Sequence, residues 1–237
     1  MPEASAAAIL RHPHLVEPCP TDRVRVDLHS HTMWSGDSTT TPDEIAAAVE
    51  AAGLDVLCIT DHHAVDGARR LSDELGCRVV VGEEMRTTAG ELIGLFLTER
   101  IPNGMSPVAT ATAIRSQGGI VYVPHPFDPF RRHLQRNALD ELVAAGLVDA
   151  IEGFNAKTSM AHLNTAAVDY ANDAGLAIGA GSDAHVPDAI GAAYVEIADF
   201  DGPGAFLAAL GEARLVGHYW DEPRPWSPRI IPSVGRY

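Results

Sequence analysis

From Val24 onward, short apolar runs alternate with longer stretches in which apolar residues recur at helical spacing. The runs predict strands over Val24–Leu28, Val56–Thr60, Arg78–Gly82, Leu92–Leu97, Ile120–Pro124, Ala150–Phe154, Ala177–Gly181 and Ala193–Ile197. The stretches between them predict helices over Pro42–Ala52, Gly67–Leu75, Pro107–Gln117, Leu139–Ala145, Leu163–Ala174 and Gly204–Glu212. Parallel strands joined by crossover helices produce this order, so the expected class is α/β. Thr41-Pro42-Asp43-Glu44 supplies a cap, a first-turn proline and two acids at the positive end of a helix dipole. Gly53, Gly146 and Gly175 follow helical stretches, where a positive φ ends a helix.

Length and punctuation suggest one domain. The 237 residues fit a single large α/β unit over 24–218, with a leader over 1–23 lying on its surface and a tail over 219–237. The tail holds four of the 16 prolines together with Trp226 and Ile230-Ile231, which predicts an extended segment packed on the domain. No apolar run approaches the ~20 residues that span a bilayer, and the N-terminus lacks the basic and apolar regions of a secretory signal.

Composition then excludes some functions. A net charge of −15, from 32 acidic against 17 basic residues, offers no broad cationic surface, so stable nucleic-acid binding is not expected. Cys19, Cys58 and Cys77 form neither a C-x-x-C pair nor a disulfide framework, which fits a reducing cytoplasm. No phosphate-binding glycine loop, dinucleotide fingerprint or G-x-S-x-G elbow is present.

Histidines and carboxylates fall at the ends of the expected strands. His29 and His31 stand two apart after the first strand, so in extended backbone their imidazoles leave on one side. Asp61-His62-His63 ends the second strand, Glu83 the third, His125 the fifth, and Asp183-Ala184-His185 the seventh. In parallel α/β folds these ends share one face, so residues distant in sequence meet there. Mixed nitrogen and oxygen donors suit Zn, Mn or Fe, and no cysteine is placed to make a thiolate site.

Val26-Asp27-Leu28-His29-Ser30-His31-Thr32, Ile59-Thr60-Asp61-His62-His63, Gly82-Glu83, Val123-Pro124-His125-Pro126, Glu152-Gly153-Phe154-Asn155 and Gly181-Ser182-Asp183-Ala184-His185 follow one another in order. Together they resemble the motifs of the polymerase and histidinol phosphatase (PHP) family. The resemblance implies a distorted seven-stranded (β/α) TIM-like barrel holding two to three divalent metal ions. It implies that His29, His31, Glu83 and Asp183 hold a first metal, and that Glu83 bridges to a second held by His125. Asp37, His62 and His185 would hold a third. Glu91, where relatives often carry histidine, would complete the second site and harden it toward Mn or Fe. Asp61 is expected to orient an imidazole.

The activity implied is metal-dependent phosphoric ester hydrolysis of a small phosphomonoester or nucleotide-type diester by a metal-bridging hydroxide. Glu83, Asp183, His185 and Lys157 are the expected catalytic residues. Four ligand carboxylates against three divalent ions leave a surplus of two positive charges, so an acidic chain can still hold a phosphate. Lys157, the only lysine, stands where relatives often carry arginine, and with Arg131, Arg132 and Arg136 it is expected to contact phosphate oxygens. His31, His185 and His63 remain open as donors of the leaving-group proton. The competing readings are a PHP-fold hydrolase of a non-phosphate bond and a non-catalytic accessory module, since fold and metals do not fix the substrate.

Overall fold

The computed structural model describes residues 8–9 and 19–219. Most of the expected leader and all but the first residue of the expected tail therefore lie outside the described residues. Among the described residues ten strands form one sheet: β1 Ala8–Ile9, β2 Arg23–Ser30, β3 Val56–Ile59, β4 Arg78–Thr87, β5 Gly90–Leu95, β6 Ile120–Val123, β7 Ala150–Asn155, β8 Ala177–Gly181, β9 Ala193–Ala198 and β10 Arg214–Gly217. Six helices accompany them: α1 Pro42–Ala52, α2 Asp66–Glu74, α3 Pro107–Ser116, α4 Arg136–Ala144, α5 Ala161–Ala174 and α6 Pro203–Leu210.

The order β1-β10-β9-β2-β3-β4-β5-β6-β7-β8 curls into a nearly closed barrel of β2 to β8. β2, β3 and β4 pair in parallel, as do β6, β7 and β8. β5 instead runs antiparallel to both β4 and β6, because the Thr88-Ala89 link is too short for a crossover helix. The seam closes where β2 and β8 end: His31 N donates to Ala184 O at 2.9 Å and Asp183 N to His29 O at 2.8 Å. β10, absent from the expected strands, pairs with β9, and Ala8–Ile9 adds in parallel at its edge.

Strand alternation divides the core. Val26, Leu28, Val56, Cys58, Val80, Ile93 and Tyr122 fill the barrel interior. The intervening Leu57 and Ile59 meet Ile45, Val49 and Leu71 of α1 and α2, while Val121, Val123 and Ile151 meet Ile114, Leu139 and Leu142 of α3 and α4. Thr41 and Glu44 make the full capping box of α1, and Gly53, Gly146 and Gly175 take positive φ as expected. Among the described residues, no helix is long and apolar enough to cross a membrane.

Candidate metal centre

The C-terminal mouth of the barrel is lined by donors. The pairing of β2 with β3 shifts register between Asp27 and Ser30. That shift changes the parity of the strand, so His29 and His31 face the same space that Val26 and Leu28 face lower down. Their Nε2 atoms lie 3.0 Å apart, Glu84 Oε2 is 3.4 and 3.3 Å from them, and Asp183 Oδ1 is 3.8 and 3.7 Å away. His29, His31 and Glu84 thus form one group, and His29 shares a second with Asp183 and His125. Metal–ligand bonds of ~2.0–2.2 Å give donor separations of roughly 3.0–3.5 Å, close to most of this set.

Glu84, and not the expected Glu83, is the β4 carboxylate that faces the donor cluster. On β4 the side chains alternate, and Glu84 shares parity with barrel-facing Val80. Its Oε2 joins the first set while Oε1 lies 3.0 Å from His125 Nε2, which in turn is 3.8 Å from Glu91 Oε2. Glu83 is turned to the outer face, where Oε2 accepts from Ile101 N at 2.8 Å and Oε1 lies 3.9 Å from Arg100 Nε. Glu91 is buried, with Oε1 3.4 Å from Arg86 Nε, so its other oxygen is left toward His125.

A third set lies nearer solvent. Asp37 Oδ2 is 3.3 Å from His62 Nε2 and 3.2 Å from His185 Nε2, with His31 alongside. Ser35 Oγ braces it, receiving His62 N and contacting His31 Nδ1, both at 3.0 Å.

The surrounding hydrogen bonds fit a cation-binding role. Glu152 Oε1 takes His29 Nδ1 at 3.0 Å, which leaves the Nε2 lone pair facing inward, and Oε2 accepts from His125 N and from Asn155 Nδ2. Gly181 makes this possible, since a Cβ there would stand 2.4 Å from His29 Cβ and 2.6 Å from Glu152 Oε1. His185 Nδ1 lies 2.9 Å from Asp183 O and 2.8 Å from Lys157 Nζ, which leaves its Nε2 toward Asp37. With Nδ1 of His29 already occupied, the facing of His29 and His31 is one that a shared cation would satisfy. Two donor residues, His125 and Asp183, have φ of 30° and 51°, backbone strain of the kind that collects at functional sites.

Charge inside the cluster is mutually compensated. Burial opposes ionisation of Asp183 and Glu84, yet both are held well below the usual carboxylate range, Asp183 by Lys157 and Arg131 and Glu84 by His29 and His62. Burial likewise opposes a charged His62, but Glu84 and Asp37 raise it to about 9. Burial and the neighbouring Glu84 push Glu91 up to about 7. Burial and the adjacent His185 keep His31 well below the ordinary histidine value.

Two cations sit beside Asp183. Lys157 Nζ is 3.4 Å from its Oδ1 and 2.8 Å from His185 Nδ1, and Arg131 reaches its Oδ2 at 3.4 Å. The other two expected arginines do not join them. Arg132 is exposed and contributes its carbonyl, which accepts from Glu91 N. Arg136 opens α4, pairs with Asp140 and stacks over Tyr170, because the helix starts three residues before the expected Leu139. Asp61 contacts no imidazole through hydrogen bonds; both its oxygens receive Thr32, by backbone N and by Oγ1, at 2.6 Å. His63 lies beside the cluster with φ 59° and buried ring nitrogens that have no hydrogen-bond partner.

Residues 161–215 match the family model described as PHP-associated (PHP_C). Over 146 residues the chain is 38% identical to the uncharacterized protein MJ1587 of Methanocaldococcus jannaschii, covering 56% of this chain and 82% of that protein. The chain belongs to the PHP family. The PHP barrel is also seen in solved structures. A two-domain protein of Bacteroides vulgatus, named for its predicted PHP-like metal-dependent phosphoesterase, aligns with a TM-score of 0.65 at 20% identity, over 86% of this chain and 68% of that one. An amidohydrolase of Chromobacterium violaceum with bound sulfate aligns with a TM-score of 0.60 at 16% identity, over 81% and 97%. These similarities concern the fold.

Proposed function

We propose that this PHP protein is a metal-dependent phosphoric ester hydrolase acting on a small phosphomonoester or a nucleotide-type phosphodiester. The observation that carries this reading is the juxtaposition of four overlapping histidine–carboxylate groups with Lys157 and Arg131, both of which lie against Asp183. His29, His31, Glu84 and Asp183 would hold one divalent ion, Glu84, Glu91 and His125 a second, and Asp37, His62 and His185 a third. Two carboxylates favour Mn or Fe at the second, whereas the imidazoles of the third suit Zn. When bound, such ions polarise phosphoryl oxygens and ionise a water near neutral pH.

The chain's own residues do the rest. Glu84 would serve two sites, Oε2 facing His29 and His31 and Oε1 facing His125. Glu152 locks His29 in the tautomer whose Nε2 faces the cluster. Three divalent ions exceed the four carboxylates by two charges, and Lys157 and Arg131 double that surplus, which favours an anionic ester over a neutral amide. Lys157 supplies a compact ammonium and Arg131 a planar fork, and both would move from Asp183 to phosphate oxygens as substrate enters. The nearly complete burial of Glu84, Asp183, His29, His31 and His125 keeps bulk water from competing for these contacts.

The alternative is hydrolysis of a non-phosphate bond, which is favoured by the fold shared with an amidohydrolase. The deciding experiment measures metal content by elemental analysis, then turnover of phosphorylated metabolites, nucleotides, oligonucleotides and amide substrates with Mn and with Zn. Metal-dependent phosphate release supports the proposal. Amide hydrolysis without phosphate release replaces it with the alternative.

A further inference from the structure

Asp128 belongs to no donor set, yet it is fully buried and ionised. It stands in the loop between β6 and α4, three residues before Arg131. Burial opposes its charge, but the Ser159 amide and hydroxyl, the Phe130 amide and the Thr158 hydroxyl together hold its carboxyl below the ordinary range. Phe130 N donates to Oδ1 at 3.0 Å, and Ser159 Oγ to the same oxygen at 2.7 Å. Ser159 N and Thr158 Oγ1 donate to Oδ2 at 2.8 and 3.1 Å. Its carbonyl receives Arg131 N at 3.0 Å and contacts His133 Nδ1 at 2.7 Å. One carboxylate therefore gathers donors from two loops that carry the two cations of the site. Three of its four side-chain bonds come from residues next to Lys157 in the loop between β7 and α5.

Lys157 and Arg131 depend on this anchor in different ways. Lys157 is flanked by two fixed points, its own N on Asn155 Oδ1 at 2.8 Å and the following Thr158 and Ser159 on Asp128. Arg131 is aimed from the turn that Asp128 closes, and its guanidinium crosses to the Lys157 carbonyl at 3.0 Å. Long cationic side chains lose rotamer entropy when they bind an anion, and a preset backbone reduces that loss.

We propose that Asp128 is a positioning residue that builds the Lys157–Arg131 pair into a preorganised anion subsite for the phosphoryl oxygens. This rests on the phosphoester reading above. The Asp128 carboxylate is bonded to Phe130, Thr158 and Ser159 rather than to the metal donors, and only its backbone N reaches one of them, the His125 carbonyl at 3.4 Å, so exchanging the side chain leaves the donors' geometry to Glu152, Ser35 and the strands.

The test is calorimetric titration of inorganic phosphate into manganese-loaded protein, with metal content and melting temperature recorded for each variant. Asp128→Ala weakens phosphate binding about tenfold, and Asp128→Asn, which keeps one acceptor oxygen, falls between it and the parent. Bound manganese is unchanged in both. Thr158→Val with Ser159→Ala, which removes two of the four donors to the Asp128 carboxylate and keeps the Ser159 amide, is the second route should Asp128→Ala fail to fold, and weakens phosphate severalfold. In a Lys157→Met background the Asp128→Asn effect shrinks, because one of the two groups it positions is gone; a general loosening of the fold would persist there in full. Parent-like phosphate affinity in Asp128→Asn and in the threonine–serine variant overturns the positioning role while leaving the phosphoester reading intact. A parent protein that binds manganese but no phosphate overturns that reading and this inference with it.

Discussion

Exchanging each of two adjacent glutamates for glutamine separates a bridging ligand from a buried bystander. Glu83 and Glu84 are both buried on β4, but they face opposite sides of the sheet. Burial raises Glu83 to about 7 from the ordinary 4.5, offset only in part by Ile101 N and Arg100. An acid whose folded pKa is raised contributes its stability below the ordinary carboxylate range and loses it as pH rises through 7. The shift corresponds to about 3 kcal/mol at pH 8, as an upper bound. Glu83→Gln retains an acceptor for Ile101 N and carries no charge, so it melts higher than the parent at pH 8, by up to ~6–12 °C for a chain of this length. The advantage shrinks at pH 5, and metal content stays constant. Glu84→Gln removes an anionic donor from two sets at once, so each site loses at least the ~10–100-fold in affinity that follows loss of an outer partner. Scanning calorimetry at both pH values, with elemental analysis, reads both effects. Metal loss in Glu83→Gln with retention in Glu84→Gln would refute the strand-parity assignment. An equal melting shift at pH 5 and pH 8 would refute the buried-charge argument.

Glu91→Ala lowers metal stoichiometry by about one and slows single turnover, whereas Glu91→His retains metal and shifts preference toward Zn; full occupancy and normal rates in Glu91→Ala would remove it from the second site. Lys157→Ala raises KM for phosphorylated substrates by about tenfold with bound metal unchanged, and unaltered kinetics would return it to a solvent role. Asp183→Asn keeps the fold, checked by circular dichroism, and loses most metal and turnover, since the seam residue supplies an anionic donor; activity that survives chelation would contradict the mechanism. Gly67→Ala places a Cβ 2.7 Å from Asp61 Oδ2 and 2.9 Å from Trp34 Cε3, so it costs about 1–3 kcal/mol and lowers the melting temperature; an unchanged melting curve would show that α2 moves freely.

Much of this centre was legible in the sequence, because its imidazoles and carboxylates stand at strand ends where a parallel barrel must gather them. His29, His31, Asp37, His62, Glu91, His125, Asp183 and His185 are all brought into contact sets. Glu84 was hidden by its neighbour: two consecutive glutamates follow Gly82 on the same strand, and only the parity counted from Val80 tells which faces inward. The antiparallel β5 had a signal too, since Ala89-Gly90 marks a turn and the gap before Leu92 holds no helical period. Arg136 was misplaced because a polar first turn, Arg136-Asn137, looks like loop until the helix is seen to start there. Asp128 left no trace, as its partners lie some thirty residues away in a loop whose path depends on the folded barrel.

The seam between β2 and β8 has a consequence for how the chain reaches this shape. The strands that close the barrel come from opposite ends of it, and the backbone bonds joining them flank His29 and Asp183, two donors of one set. Closing so long a loop is entropically costly, and contacts of such sequence separation form late in folding. A divalent ion held across the seam acts as a non-covalent crosslink between the first and last barrel strands, slowing their separation. Chelation should therefore speed hydrogen exchange first at the amides of His31 and Asp183, well before β3 or β6 open, so that the cation governs the lifetime of the closed barrel as well as its chemistry.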